Sequence, residues 1–327
     1  MADISQFVTI ARYTARDKLF RPQIVKRLAS SQNQGGVTYA HKTLETSREV
    51  NRRIADMIDS GKPFCVGRFG AVELFTASSF ELGITFHQEK SVRQLHECAG
   101  FFPADVTLGP RFTQVLTESY QQLDILAVNA WRYEPYYIQK FAPEGQILTN
   151  LPSFEPWSCP EEPWTQALEG KKVLLIHPFE DTIRSQYRRR EAIFPGTKIL
   201  PEFTLRTLKA VQTSARQQAS EFADWFEALE WMYQEAMKID FDVAIVGCGA
   251  YGMPLCAKLK QAGKQAIHLA GATQILFGIR GRRWDESPCY QYVRDLYNDA
   301  WVRPGQQERP KDHQVVEGGC YWVSEES

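Results

Sequence analysis

Four short stretches of the chain gather residue types that can bind or transfer chemical groups. The first is Gly247-Cys248-Gly249-Ala250-Tyr251-Gly252, a G-x-G-x-x-G pattern between an apolar run and a helical one. Glycines at this spacing permit a tight turn and close backbone approach, and a helix opening there turns N–H groups toward a phosphate. A dinucleotide site also needs an acid about twenty residues on, where the ribose hydroxyls sit. The chain has Ile267-His268-Leu269-Ala270-Gly271 there and no acid, so NAD is not expected, while a nucleotide or phosphate near the turn is. A turn needed only for strand–helix packing would leave the same pattern.

The second stretch runs from Gly271 to Asp285 and leaves the end of an apolar run, the edge where open α/β sheets hold ligands. Gly271 gives backbone reach, Thr273 and Gln274 offer hydrogen bonds, and Arg280, Arg282 and Arg283 suit a pyrophosphate. Trp284 can stack on a base or sugar ring; the plainer reading of the whole stretch is a solvated basic loop. The third is His177-Pro178-Phe179-Glu180-Asp181, with Arg184, Arg188 and Glu191 following on a helix. His177 stands out by its position at a strand end, against the common case of a structural histidine, and the two acids suit a helix start. His268, inside an apolar strand, reads as the weaker histidine. The fourth is Gly67-Arg68-Phe69-Gly70-Ala71-Val72-Glu73, where Arg68 and Glu73 flank a glycine turn. Glu73 reads as a general base, a metal ligand, or a first-turn glutamate that complements a helix dipole.

Regular elements must carry these stretches to one place. The chain opens with helical periodicity, and Thr43–Met57 reads as an amphipathic helix stopped by Ser60-Gly61-Lys62-Pro63. Strands are predicted at 64–66, 123–128, 172–176, 242–246 and 266–269. Helices are predicted through 71–75, most of 91–122, 181–193, 221–238 and 253–262. Residues 144–170, rich in Pro, Trp and Glu, read as a connecting surface segment. Strands that alternate with helices predict an α/β fold, a Rossmann-like and largely parallel sheet flanked by helices, with a helical N-terminal segment. The expected organisation is 1–60 as that segment and 61–327 as the α/β domain, with 61–150 and 171–327 as its halves.

The 327 residues carry 38 Lys+Arg against 39 Asp+Glu, a formal charge of -1, which argues against bulk nucleic-acid binding. The seven cysteines form no C-x-x-C pair and fit neither a disulfide framework nor a zinc ribbon. With no signal-like apolar start and no run long enough to span a bilayer, a cytoplasmic location is expected. The first 27 residues hold Arg12, Arg16, Lys18, Arg21, Lys26 and Arg27 against Asp3 and Asp17, interleaved with Phe7, Ile10, Leu19 and Phe20. Such a segment can rest peripherally on an anionic membrane, or serve as a solvated arm on its own domain.

The Arg68-Phe69-Gly70-x-x-Glu73 turn resembles the R-F-G-D-G-E segment of GT-D-type glycosyltransferases, and the strand–glycine–helix at 242–263 resembles that family's second half. Further blocks are similar to bacterial proteins of surface-polysaccharide loci. They are Ile176–Phe179, Ser185-Gln186-Tyr187-x-x-Arg190-Glu191, Gly271–Gly278 and Val316–Trp322. The resemblance implies sugar transfer from a nucleotide-sugar donor, a UDP-sugar, to a glycan or lipid-linked glycan acceptor. It also implies a divalent metal, Mn or Mg, assisted by a D-x-E motif. Ala71 stands where that aspartate would be, so another acid must contribute or cations must replace the metal. On this resemblance Glu73 is base or sole metal ligand, Arg68 orients it or binds donor, and His177 is a further catalytic candidate. Gly247, Gly249, Gly252, Gly271, Thr273, Gln274, Arg280, Arg282, Arg283 and Trp284 would hold the donor, with Arg188 and Glu191 in reserve. Two other classes fit the same residues. One is a nucleotide-dependent dehydrogenase or methyltransferase; the other is a non-catalytic sugar- or nucleotide-binding module of a polysaccharide assembly complex.

Overall fold

The apolar runs become strands of one sheet in a computed structural model, which describes residues 4–213 and 221–322. Asp3 of the basic N-terminal stretch lies outside them. The strands are β1 (Thr38–Tyr39), β2 (Lys42–Glu45), β3 (Phe64–Gly67), β4 (Ile125–Val128), β5 (Ile147–Asn150), β6 (Lys172–His177), β7 (Thr204–Lys209), β8 (Val243–Val246) and β9 (Gln265–Ile267). Their order is β1-β2-β5-β4-β3-β9-β8-β6-β7, with every neighbouring pair parallel except β1–β2. The α/β class and the mostly parallel sheet are therefore as expected, and the chain opens with a long helix, α1 (Ile4–Ser30).

Alternation along the strands divides the core between the two faces of the sheet. Cys65, Leu126, Leu174 and Val246 pack on one side, against α3 (Ala71–Glu81), α4 (Thr85–Ala99), α5 (Gly109–Tyr120) and the helices Trp225–Met237 and Gly252–Gln261. Phe64, Val66, Ile125, Leu175 and Ile245 pack on the other, against α2 (Ser47–Asp59) and the chain beyond residue 150. Strands covered on both faces read as continuous apolar runs, which is why β3, β4, β6 and β8 were legible. In α2, Val50, Ile54 and Ile58 are fully buried at helical spacing, and Thr46 and Glu49 form a capping box at its start. Each such side chain contributes about 2 kcal/mol by burial.

Two expectations need correction. The helix expected at Thr43–Met57 begins later, because Lys42–Glu45 is strand β2, paired with β5 on one side and β1 on the other. The segment 144–170 is not a surface connection. It contains β5, and Phe154 and Trp164 are buried in the core, with the Trp164 indole N–H donating to the Phe154 carbonyl. Shorter breaks also appear: 91–122 is α4 and α5 with a turn between them, and 181–193 is two helices broken near Arg188.

The sheet positions a site at its middle. From β3 the chain moves outward through β4 and β5, whereas β9, β8 and β6 lie on the other side of β3. Carboxyl ends of β3, β4, β9, β8 and β6 thus face the same edge, where ligands bind in open α/β sheets. Among the described residues, no helix is long and apolar enough to cross a membrane.

Candidate active site

A cavity of about 470 Å³ sits on that edge. Arg68 enters it from the end of β3, Asn129 from β4, His177 from β6, Gly247 to Gly249 from β8, and His268 from β9. Glu73, on the first turn of α3, and Arg283, Glu317 and Tyr321, from the C-terminal part of the chain, complete its walls. Among the described residues, five non-glycine residues have positive φ, and three border this cavity: Ala130 between Asn129 and Trp131, Ala270 at the end of β9, and Glu317. Such backbone is costly for L residues and is held where the surroundings over-determine it.

The turn after β8 requires glycine for steric reasons. Gly249 has φ +58°, and a Cβ there would lie 2.6 Å from the Ala99 carbonyl oxygen. Gly252 packs on the His268 ring, which a Cβ would overlap, so it serves helix–strand packing and does not line the cavity. Gly247 and Gly249 do line it.

Charge is arranged asymmetrically. The Arg68 Nε donates to the Phe69 carbonyl at 3.1 Å, and the guanidinium makes no ion pair among the described residues. Arg283, by contrast, pairs with Glu317 at 2.5 Å and lies over the Tyr321 ring. The Glu73 carboxylate folds back over Gly70 onto the start of its own helix. Burial pushes its pKa above the usual carboxylate range and Glu317 adds to this, while its own N–H, Arg68 and Arg283 oppose the rise. The two histidines are neutral donors or acceptors, because burial drives both down to about 3. His177 Nδ1 accepts the Phe179 N–H at 3.0 Å, which leaves its proton on Nε2. His177 can therefore donate a hydrogen bond but cannot take up a proton near neutral pH. His268 Nδ1 is buried with no hydrogen-bond partner among the described residues.

The remaining sequence candidates divide. Gly271 and Gln274 line the cavity, and the Gln274 amide donates to the carbonyls of Arg280 and Tyr321 while its Oε1 has no partner among the described residues. Thr273 is buried just behind Gly247. Three expected donor contacts from the basic stretch are corrected: Arg280, Arg282 and Trp284 lie off the cavity. Arg280 pairs with Asp285 at 3.4 Å and stands over Tyr297, and Arg282 pairs with Glu286 at 2.8 Å and donates to the Gly318 carbonyl. Trp284 is core, 3% exposed, and not available to stack on a ligand. Arg188, between the two short helices beyond β6, and Glu191, on the second of them, are exposed and also lie outside the cavity.

Asn129, Trp131, Cys98, Tyr290, Glu317 and Tyr321 line the cavity without having been singled out as site residues. Asn129 had a usable signal, since it directly follows a buried strand. Glu317 and Tyr321 had only their place in the Val316–Trp322 block. A buried carboxylate, Glu134, holds the backbone that presents Asn129. It accepts the Asn129 N–H at 3.1 Å and the Tyr39 hydroxyl at 2.9 Å, and burial pushes its pKa up to about 7.

The divalent metal implied by the resemblance does not fit these residues. Ala71 supplies no carboxylate, Glu73 is held by its own helix, and Glu317 is neutralised by Arg283. Among the described residues, no group of three or more His, Cys, Asp or Glu could hold a metal ion. All seven cysteines are free.

No protein-family profile matches the chain, and no curated protein matches it. Two solved structures are similar at 14% identity, each over 80% of this chain and 96% of the other. One is a selenomethionine-substituted structure of domain of unknown function 1792, with a TM-score of 0.39. The second, with a TM-score of 0.37, is described as showing that the highly conserved domain of unknown function 1792 has a distinct glycosyltransferase fold. Scores of this size carry no residue's role across to this chain.

Proposed function

We propose that the protein is a glycosyltransferase that moves a sugar from a nucleotide-sugar donor, a UDP-sugar, to a glycan acceptor in bacterial surface-polysaccharide synthesis. The observation that carries this reading is the Arg68 guanidinium, which makes no ion pair among the described residues and is set beside Glu73 and the Gly247–Gly249 turn at the edge of the sheet. A fixed cation and turn N–H groups suit a diphosphate, and a carboxylate with a raised pKa suits proton abstraction from a hydroxyl. The sugar's bond to the diphosphate breaks, its bond to the acceptor oxygen forms, and the acceptor's proton passes to Glu73. Arg68 stabilises the charge left on the diphosphate in place of a metal. His177 donates its Nε2–H to a donor oxygen and takes no part in proton transfer. The rings of Tyr290 and Tyr321 offer flat faces to a sugar or base.

Incubation with UDP-, GDP- and CMP-sugars in the presence of EDTA tests the reading by release of the nucleotide. Release from one nucleotide class, abolished by Glu73→Gln, is expected. Stabilisation by NAD or S-adenosylmethionine with no response to any nucleoside diphosphate would replace the reading with a different nucleotide-dependent enzyme.

A further inference from the structure

The outward face of α1 is unusual for a helix that packs on its own domain. Of the seven large hydrophobic residues exposed among those described, five are on α1 (Phe7, Val8, Leu19, Phe20 and Val25). A sixth, Phe86 at 77% exposure, is at the start of α4. That point lies beside the amino end of α1, since Gln6 lies against Gly83, and Ile10 packs on the cluster of Tyr13, Leu82 and Ile84. At 100° per residue, Val8, Ala11, Ala15, Leu19 and Pro22 form a strip along the solvent side, flanked by Arg12 and Lys18 and crossed by Lys26.

Charge on this face has one sign. The single acid of α1, Asp17, is turned inward, where it pairs with Arg21 at 3.9 Å and Arg132 at 3.2 Å. Arg16 is engaged inward, on the Tyr39 hydroxyl, while Arg27 stays exposed at the end of the helix with its guanidinium on the Thr38 hydroxyl. Arg12, Lys18 and Lys26 make no ion pair among the described residues. A second copy of the same face would bring these cations against their equals, whereas anionic lipid headgroups complement both the charges and the apolar strip.

The inner side of α1 leads to the candidate active site. Asp17 and Arg21 wall a second cavity of about 330 Å³, together with His87, Lys90 and Arg132. Ala71 and Trp131 line both this cavity and the first, and the Trp131 indole N–H is buried with no hydrogen-bond partner among the described residues. Arg21 stacks over the Trp131 ring at 5.1 Å, so the outer helix and the cavity wall are mechanically joined.

We propose that α1 lies on an anionic membrane surface and that the second cavity admits a lipid-anchored acceptor to Glu73. The acceptor class rests on the transferase reading; the membrane contact does not.

Sedimentation with vesicles separates the two. The full chain is expected to sediment with phosphatidylcholine vesicles containing about 30 mol% phosphatidylglycerol, whose negative surface potential attracts Lys and Arg, and not with phosphatidylcholine alone. High salt should release it. Leu19→Asp should lower vesicle affinity by about tenfold or more. Thermal stability and the shift produced by a nucleoside diphosphate should stay unchanged, because Leu19 touches neither cavity. Equal binding to neutral vesicles, wild-type affinity in Leu19→Asp, or a concentration-dependent dimer that ignores vesicles would each overturn the membrane proposal. If vesicle binding holds while no nucleotide-sugar is consumed, the transferase reading fails and the membrane contact stands.

Discussion

The basic stretch 280–284 and the turn 67–73 make opposite uses of arginine. The first holds three arginines within four residues, yet Arg280 and Arg282 are engaged by Asp285, Glu286 and the Gly318 carbonyl, and only Arg283 reaches the cavity. The second holds one arginine, which reaches the cavity from a strand end and has no acidic partner among the described residues. Local density of charge thus marks a segment that ties down the C-terminal chain. A single cation at the carboxyl edge of the sheet marks the site, because a cation already neutralised has little left to offer a phosphate.

Substitutions on the two sides should therefore separate activity from stability. Glu73→Gln is expected to lower turnover about a thousandfold, within the range for loss of a general base, with nucleotide affinity kept. Wild-type turnover should rise with pH through the raised Glu73 pKa, above the ordinary carboxylate range, because only the ionised form accepts the proton. A rate independent of pH from 4 to 8 would remove Glu73 from that role. Trp284→Ala should cost about 3–5 kcal/mol of stability, as for a buried aromatic, with no selective effect on nucleotide affinity; denaturant titration reads this directly.

Beneath the turn after β4, Glu134 supplies a pH-dependent contribution. Burial raises its pKa from the ordinary 4.5 to about 7, so the folded state holds a proton that the unfolded state releases first. This stabilisation is complete below about pH 4.5 and is lost as pH rises through about 7, on the order of 3 kcal/mol in all. Urea titrations at pH 5 and pH 8 should show that fall, and Glu134→Gln should flatten it. Arg68→Ala should weaken nucleoside diphosphate binding about a hundredfold with stability held, by loss of an oriented cation. The smallest effect belongs to Arg280→Ala, within about twofold in nucleotide affinity, since its partner Asp285 keeps it from the cavity. Isothermal titration of the two arginine variants side by side tests the comparison.

The sequence showed the parts of the fold that are covered on both faces. Phe64–Val66, Lys172–Ile176 and Val243–Val246 are apolar runs with nothing else to be. β1, β2 and β5 were hidden because Thr, Lys, Glu or Asn stand at their pairing positions and break the apolar run. In the site, Arg68 and the Gly247–Gly249 turn were legible because each directly follows a buried strand, His177 because it ends one, and Glu73 because it opens the helix after β3; topology then brings the strand ends together. Trp284, Arg280 and Arg282 misled because residue type says nothing about which partner is satisfied locally. Glu317 and Tyr321 lie far along the chain from the sheet, and only tertiary packing places them against Arg283.

The central claim is that Arg68, without a metal, holds the diphosphate of a nucleotide-sugar. The direct test is a thermal-shift titration with UDP in EDTA, on the wild type, Arg68→Ala and Arg280→Ala. A ligand at a hundredfold its dissociation constant adds about 2.7 kcal/mol to the folded state, which is readily seen. The account predicts an upward shift in the wild type and in Arg280→Ala, and its loss in Arg68→Ala. A shift that requires Mn²⁺, or one that Arg68→Ala retains in full, would contradict it.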